Sequence, residues 1–182
     1  MLKFVKTRAS SALWPALIGA LLALGLLLPA LKALSLDVFS PAIQACVLTA
    51  CVLFVFGLGG RMKWAALALG GALLAAYLFI GGGLFRIGGM LGAAIHLFQG
   101  NAEPLRVYAP EAAALFGALL SLAGYAMARQ TAGFYPALSL TMVTLLIVWF
   151  SGNREDLWLL SPALVALCAL FARAVNEETP HL

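Results

Sequence analysis

The sequence predicts an all-α polytopic membrane protein, with about six transmembrane helices and a short outer amphipathic helix. Composition is the first reason. Of 182 residues, 64% are hydrophobic and only 10% charged, whereas a soluble domain carries about 25% charged residues. So few charges cannot cover a water-exposed surface. The second reason is that the apolar runs are continuous, which favours helices over the alternating segments of roughly ten residues that build a membrane β-barrel. The third is that lysines and arginines gather at the ends of those runs, where they encode orientation. The net charge of +4 is therefore no nucleic-acid footprint, and the expected partner surface is the lipid bilayer.

The chain reads as a single membrane domain over residues 1–182. Lys3, Lys6 and Arg8 precede a first span at 11–33. That run exceeds the 7–15 residues typical of a signal-peptide core, and no small-x-small cleavage site closes it, so it reads as a retained span. Pro15 falls in its first turn and Pro29 in its last, where a missing N–H does little harm, and Lys32 can snorkel. Ser40-Pro41 has the form of an N-cap followed by proline at the first helical position, opening a second span at 41–58. Gly57, Gly59 and Gly60 end it, and Arg61 and Lys63 form a basic turn before a third span at 64–80. After a polar stretch come spans at 111–128, 134–150 and 157–173. Arg129-Gln130 separates the first two of these, and Asp156 is placed to cap the last. Pro162 lies inside that last helix and is expected to kink it.

Charge asymmetry sets a topology. Lys3, Lys6, Arg8, Arg61, Lys63, Arg129 and Arg173 collect on one side. Lys32, Arg86, Arg106 and Arg154 lie on the other, offset by Asp37, Glu103, Glu111, Glu155 and Asp156. The positive-inside rule then makes both termini cytoplasmic and the stretch 81–111 external. Trp14, Trp64, Trp149 and Trp158 fall near span ends, as an aromatic belt requires.

No Asp, Glu, Lys, Arg or His lies in the middle of a span, although proton relays and ion-coupled transporters place such groups at membrane depth. The intramembrane polar groups are Gln44, Thr49, Ser121, Tyr125, Ser139, Thr141, Thr144 and Ser161, read as interhelical hydrogen bonds of about 1 kcal/mol each. Among them Gln44 and Tyr125 are candidates for ligand or partner contact. Cys46, Cys51 and Cys168 all fall inside spans and form no disulfide framework. Cys46 and Cys51 are five residues apart, roughly 140° around a helix, and do not share a face. His96 and His181 have no companions at ligand spacing. No metal, cofactor or catalytic constellation is expected. Small residues at Ala16-x-x-x-Ala20, Gly88-x-x-x-Gly92 and Gly117/Gly124 permit close helix packing.

The stretch 81–111, GGGLFRIGGMLGAAIHLFQGNAEPLRVYAPE, is where charge and glycine concentrate. Leu84, Ile87, Leu91, Ile95 and Phe98 recur at helical spacing, with Arg86, Gly89, Ala93 and His96 opposite. This describes an amphipathic helix over 84–99, lying at the outer interface with its polar face toward water and headgroups. Arg86, His96 and Arg106 are the candidates here for contact with a ligand or an outer domain.

Short basic turns, an amphipathic segment after the third span, and ALLSLAGYAMARQTAGFYPALSLTMVTLLIVWFSG followed by DLWLLSPALVALCALFARA resemble one family. It is the N-terminal membrane region of bacterial transglutaminase-like membrane proteins. The resemblance covers most of the chain and is clearest over 112–174. It implies a bundle in the bacterial inner membrane preceding an extracytoplasmic papain-like Cys-His-Asp domain. The three cysteines lie in spans, so none is the family nucleophile and no catalytic residue carries over. The implied function is a non-catalytic membrane module, as a truncated, split or stand-alone member, anchoring or partnering such a domain. The alternative is the substrate-binding membrane subunit of a small-solute importer. Six spans in this length resemble the membrane components of energy-coupling-factor vitamin importers, and Ala16-x-x-x-Ala20 resembles their docking helix. Another membrane subunit would then be the partner. An enzyme acting at the membrane surface ranks last, because no nucleophile–base pair can be assembled.

Overall fold

A computed structural model describes residues 2–33, 39–80, 82–98, 106–152 and 154–178, with no strand among them. The helices are α1 (Leu2–Ala33), α2 (Phe39–Gly57), α3 (Met62–Ala75), α4 (Gly83–Phe98), α5 (Ala109–Arg129), α6 (Phe134–Phe150) and α7 (Ser161–Glu178). A π-helical turn, Ala76–Ile80, continues α3, and 3-10 segments at Thr131–Gly133 and Arg154–Leu160 precede α6 and α7. Five helical stretches are long and apolar enough to cross a membrane: Ser11–Ala33, Phe39–Gly57, Met62–Phe79, Ala109–Arg129 and Arg154–Asn176. α6 is apolar and has 17 residues, roughly 25 Å at 1.5 Å per residue, the lower limit of the about 17–25 residues that cross a bilayer.

The bundle is organised around α1, which packs against α2, α5, α6 and α7. Its span is 56% buried inside the molecule, against 17% for α2 and 6% for Met62–Phe79, so α1 is the interior helix. The reason lies in its side chains. Between Ala12 and Leu31, α1 carries no charged side chain, as a helix packed by several others should, and its small residues admit neighbours from more than one direction. Ile18, Leu22 and Leu26 meet Ala128 of α5, Ala137 of α6, and Ala163, Ala166, Leu167 and Leu170 of α7. Toward the C-terminal end of α1, Ala23, Leu27 and Leu31 pack with Ala42 and Cys46 of α2 and Ala113 of α5. Toward its N-terminal end, Ala16 packs with Leu53 and Tyr125.

α3 is peripheral. It packs on α2 and its own π turn, and Trp64, Leu67, Leu69, Leu73 and Leu74 point away from the protein. All four tryptophans are exposed, as belt residues facing lipid and headgroups should be. Cations sit over two of them: Lys63 Nζ is 5.7 Å from the Trp64 ring and the Arg154 guanidinium 4.3 Å from that of Trp149. The α2–α3 turn uses Gly59 and Gly60 at φ of 71° and 57°, a left-handed conformation that β-carbons disfavour.

Several boundaries differ from the sequence expectations. α1 begins at Leu2, so Pro15 lies well inside the helix and not in its first turn. α2 begins at Phe39, which places Ser40 within the first turn, where its hydroxyl accepts a hydrogen bond from the Gln44 amide at 3.3 Å. The expected kink at Pro162 is a change of helix type instead: the 3-10 segment ends at Leu160, and Pro162 is the second residue of α7. There its missing N–H interrupts no established α-helical ladder.

Candidate functional site

The polar groups of the apolar helices are mostly engaged locally. Ser139, Thr141 and Thr144 donate to the carbonyls of Tyr135, Ala137 and Leu140, each four residues back on α6, at 3.1, 2.8 and 3.0 Å. This corrects the expectation of interhelical bonds for these three residues. Helical carbonyls are always within reach of a hydroxyl one turn on, and no partner helix need be positioned. Gln44 is exposed and bonded to Ser40. A side chain that does bond across helices is the Cys46 thiol of α2, donating to the Gly117 carbonyl of α5 at 3.5 Å. Ser121, one turn further along α5, is fully buried near the Cys46 thiol, and its hydroxyl makes no well-formed hydrogen bond. Tyr125 is buried with Ala16, Leu53 and Phe54, and the Arg129 guanidinium lies 5.8 Å from its ring. Cys46 is buried, Cys51 on a different face of the same helix is exposed, and so is Cys168 of α7.

Close packing uses some of the expected small residues. A Cβ at Gly117 would come within 3.0 Å of the Ala42 carbonyl oxygen and 3.1 Å of Cys46 Sγ. One at Gly124 would come within 2.9 Å of the Gly19 backbone. Ala16 is buried and Ala20 is partly so. Gly88 and Gly92 are different, for nothing lies within 4 Å of a Cβ built on either. The contact has moved one residue on. A Cβ at Gly89 would collide with the Tyr108 phenol, and Ala93 is buried.

That shift accompanies an ion pair joining helices distant in sequence. Arg86 of α4 forms an ion pair with Glu111 of α5, Nη1 to Oε1. Glu111 is the third residue of α5, directly after Pro110, where a carboxylate complements the positive end of the helix dipole. Its side chain is 10% exposed and that of Arg86 60%. The second carboxylate oxygen, Oε2, is buried and has no hydrogen-bond partner. Arg86, Gly89 and Ala93 share one face of α4, and that face meets α5 and Tyr108. The opposite face, with Leu91 and Ile95, is exposed. The Arg86 face is thus shared: Gly89 and Ala93 pack inward, while Arg86 pairs with Glu111 and stays 60% exposed.

Arg106 is exposed. The side chain of His96 lies outside the described residues, as do His181, Asp37 and Glu103. Sequence reasoning placed Glu111 at the start of a span but missed its role as partner to Arg86, 25 residues away. It also missed Tyr108, Gly19 and Gly25, and the bond from Arg173 of α7 to the Ala128 carbonyl at the end of α5. Among the described residues no group of three His, Cys, Asp or Glu could hold a metal ion.

Apolar helices of membrane-spanning length, packed through small residues around an enclosed α1, define a multi-pass helical membrane protein. Compared with protein-family models, with curated proteins and with solved structures, the chain matches none.

Proposed function

We propose that the chain is a non-catalytic integral membrane module that anchors or partners an extracytoplasmic transglutaminase-like domain. In this reading it sits in the bacterial inner membrane with both termini cytoplasmic. The observation that carries the first half is the interior itself. Around α1 it is filled by Ala and Leu side chains with Ile18 and Cys46, and the buried Thr141 and Thr144 of α6 hydrogen-bond to their own helix. Such an interior supports holding helices together more than passing a solute or moving a proton. The partner's identity rests on the sequence resemblance over 112–174.

The importer-subunit reading is weaker on one point. Ala16, half of its small-residue docking motif, is 3% exposed and packed against Leu53 and Tyr125. It is not presented to an external partner.

Chemical cross-linking in native membranes, followed by purification of the chain and mass spectrometry, tests the proposal. A papain-like domain cross-linked to the chain, in cis or in trans, is the expected result. Recovery of an ATPase pair without such a domain would transfer the assignment to the importer subunit.

A further inference from the structure

We propose that the basic end of the bundle, where α1, α2 and α5 converge, binds the phosphate of an anionic phospholipid headgroup through Arg61, Lys63 and Arg129. Such a site requires neither the proposed partner nor a particular leaflet at this end.

The site grows out of one packing contact. A Cβ at Gly57, the last residue of α2, would come 2.9 Å from the Ala12 side chain of α1 and 3.1 Å from the Tyr125 hydroxyl of α5, so the three helices meet there. Arginines cluster around that point by register. Arg8 precedes Ala12, and Arg61 and Arg129 follow Gly57 and Tyr125, by four residues each. For Arg129, and for Arg8 by position in α1, that is about one turn of helix. For Arg61 it is the tight α2–α3 turn.

The cations here are available. The Arg129 guanidinium lies 5.8 Å from the Tyr125 ring, a contact that orients it while leaving N–H groups to donate elsewhere. Arg61 and Lys63 are exposed, and nothing lies within 4 Å of a Cβ built on Gly59 or Gly60 in the turn before them. Among the described residues none of the three pairs with a carboxylate; the ion pair found is at the other end of the bundle. Seven of the 11 lysines and arginines belong to this end, against Glu177 and Glu178 at the close of α7.

Depth selects the ligand. Trp64, next to Lys63, is 67% exposed, and Trp14, two residues beyond Ala12, is 48% exposed. Exposed tryptophans settle at the headgroup level, which places the neighbouring cations at the depth of lipid phosphates. A phosphate oxygen pair matches the arginine fork, and lysine adds a point charge. A basic cluster between helix ends at this depth is suited to an anionic headgroup.

Native mass spectrometry of the full chain in detergent micelles, titrated with dioleoyl-phosphatidylglycerol, tests this. Dioleoyl-phosphatidylcholine serves as the zwitterionic lipid with the same chains, and inorganic phosphate as the free anion. Phosphatidylglycerol should bind at least about tenfold more tightly than phosphatidylcholine. Arg61→Gln should weaken it about fivefold, and Arg61→Gln, Lys63→Gln and Arg129→Gln together at least about thirtyfold. Arg154→Gln, at the other end, should leave it unchanged. Arg61→Gln replaces an exposed side chain, so it decides the matter even where the triple variant does not fold. Equal affinity for the two lipids would overturn the site. An equal loss in Arg154→Gln would also overturn it, showing a response to net charge alone. Displacement of the lipid by inorganic phosphate at matching concentration would reassign the cluster to a dissolved anion.

Discussion

At Gly25 of α1 a hydrogen is all the neighbouring helix allows, because an added Cβ would overlap the Ala163 backbone of α7. Gly19 is similar: its Cβ would sit 2.6 Å from the Tyr125 nitrogen. In lipid, where no hydrophobic force drives helices together, such approaches supply much of the association energy through dispersion contacts. Gly25→Val should therefore destabilise the bundle by about 1–3 kcal/mol, the usual range for overpacking. Gly71→Ala, with open space around it, should be neutral or slightly stabilising. Reversible unfolding in mixed detergent, run on both variants, distinguishes the two sites. Equal losses would mean that α1 and α7 can separate at little cost. The sequence shows both glycines equally well. Neither carries a mark that says which one faces a helix.

Among elements, α6 shows how a polar inventory can be read correctly as structural and still be assigned the wrong bonds. Thr141 and Thr144 each satisfy themselves one turn back on their own helix. Thr141→Val should then change stability by less than about 0.5 kcal/mol, below the typical worth of an interhelical bond. A loss well above 1 kcal/mol in the same unfolding assay would require an interhelical partner that the helix geometry does not supply. α4 carries the related lesson. Its amphipathic period was legible, including Arg86, Gly89 and Ala93 on one face, and the spacing alone fixes that much. That Arg86 would find a carboxylate on another helix was not legible. That depended on Glu111 arriving at the first turn of α5 and offering Arg86 a carboxylate.

For the whole molecule, the division between interior and lipid-facing helices governs the response to mutation. Leu22 of α1 is 1% exposed and Leu74 of α3 is 58% exposed. Leu22→Ala should cost about 1–3 kcal/mol, less than in a soluble core because lipid replaces water as the reference. Leu74→Ala should cost almost nothing by the same unfolding measurement. Comparable effects would displace α1 from the centre. Orientation is a separate question, carried by the basic residues. Single cysteines at Lys63→Cys and Arg106→Cys, probed with a membrane-impermeant maleimide on intact cells, should label at position 106 and stay protected at 63. The opposite pattern would invert the topology.

The sequence by itself determined the class of protein, the approximate positions of the apolar helices and the helical period of α4. Each of these follows from composition or from spacing within one segment, which a chain displays before it folds. The tertiary structure decided that the first helix lies inside the bundle and the third at its edge. It also decided which glycines make contact and that Arg86 finds Glu111. The physical reason is common to all of these. In a membrane, the apolar residues of every span look alike, because lipid and protein interior are similarly apolar. What separates them is the fit of small side chains and a few charges brought together from distant parts of the chain.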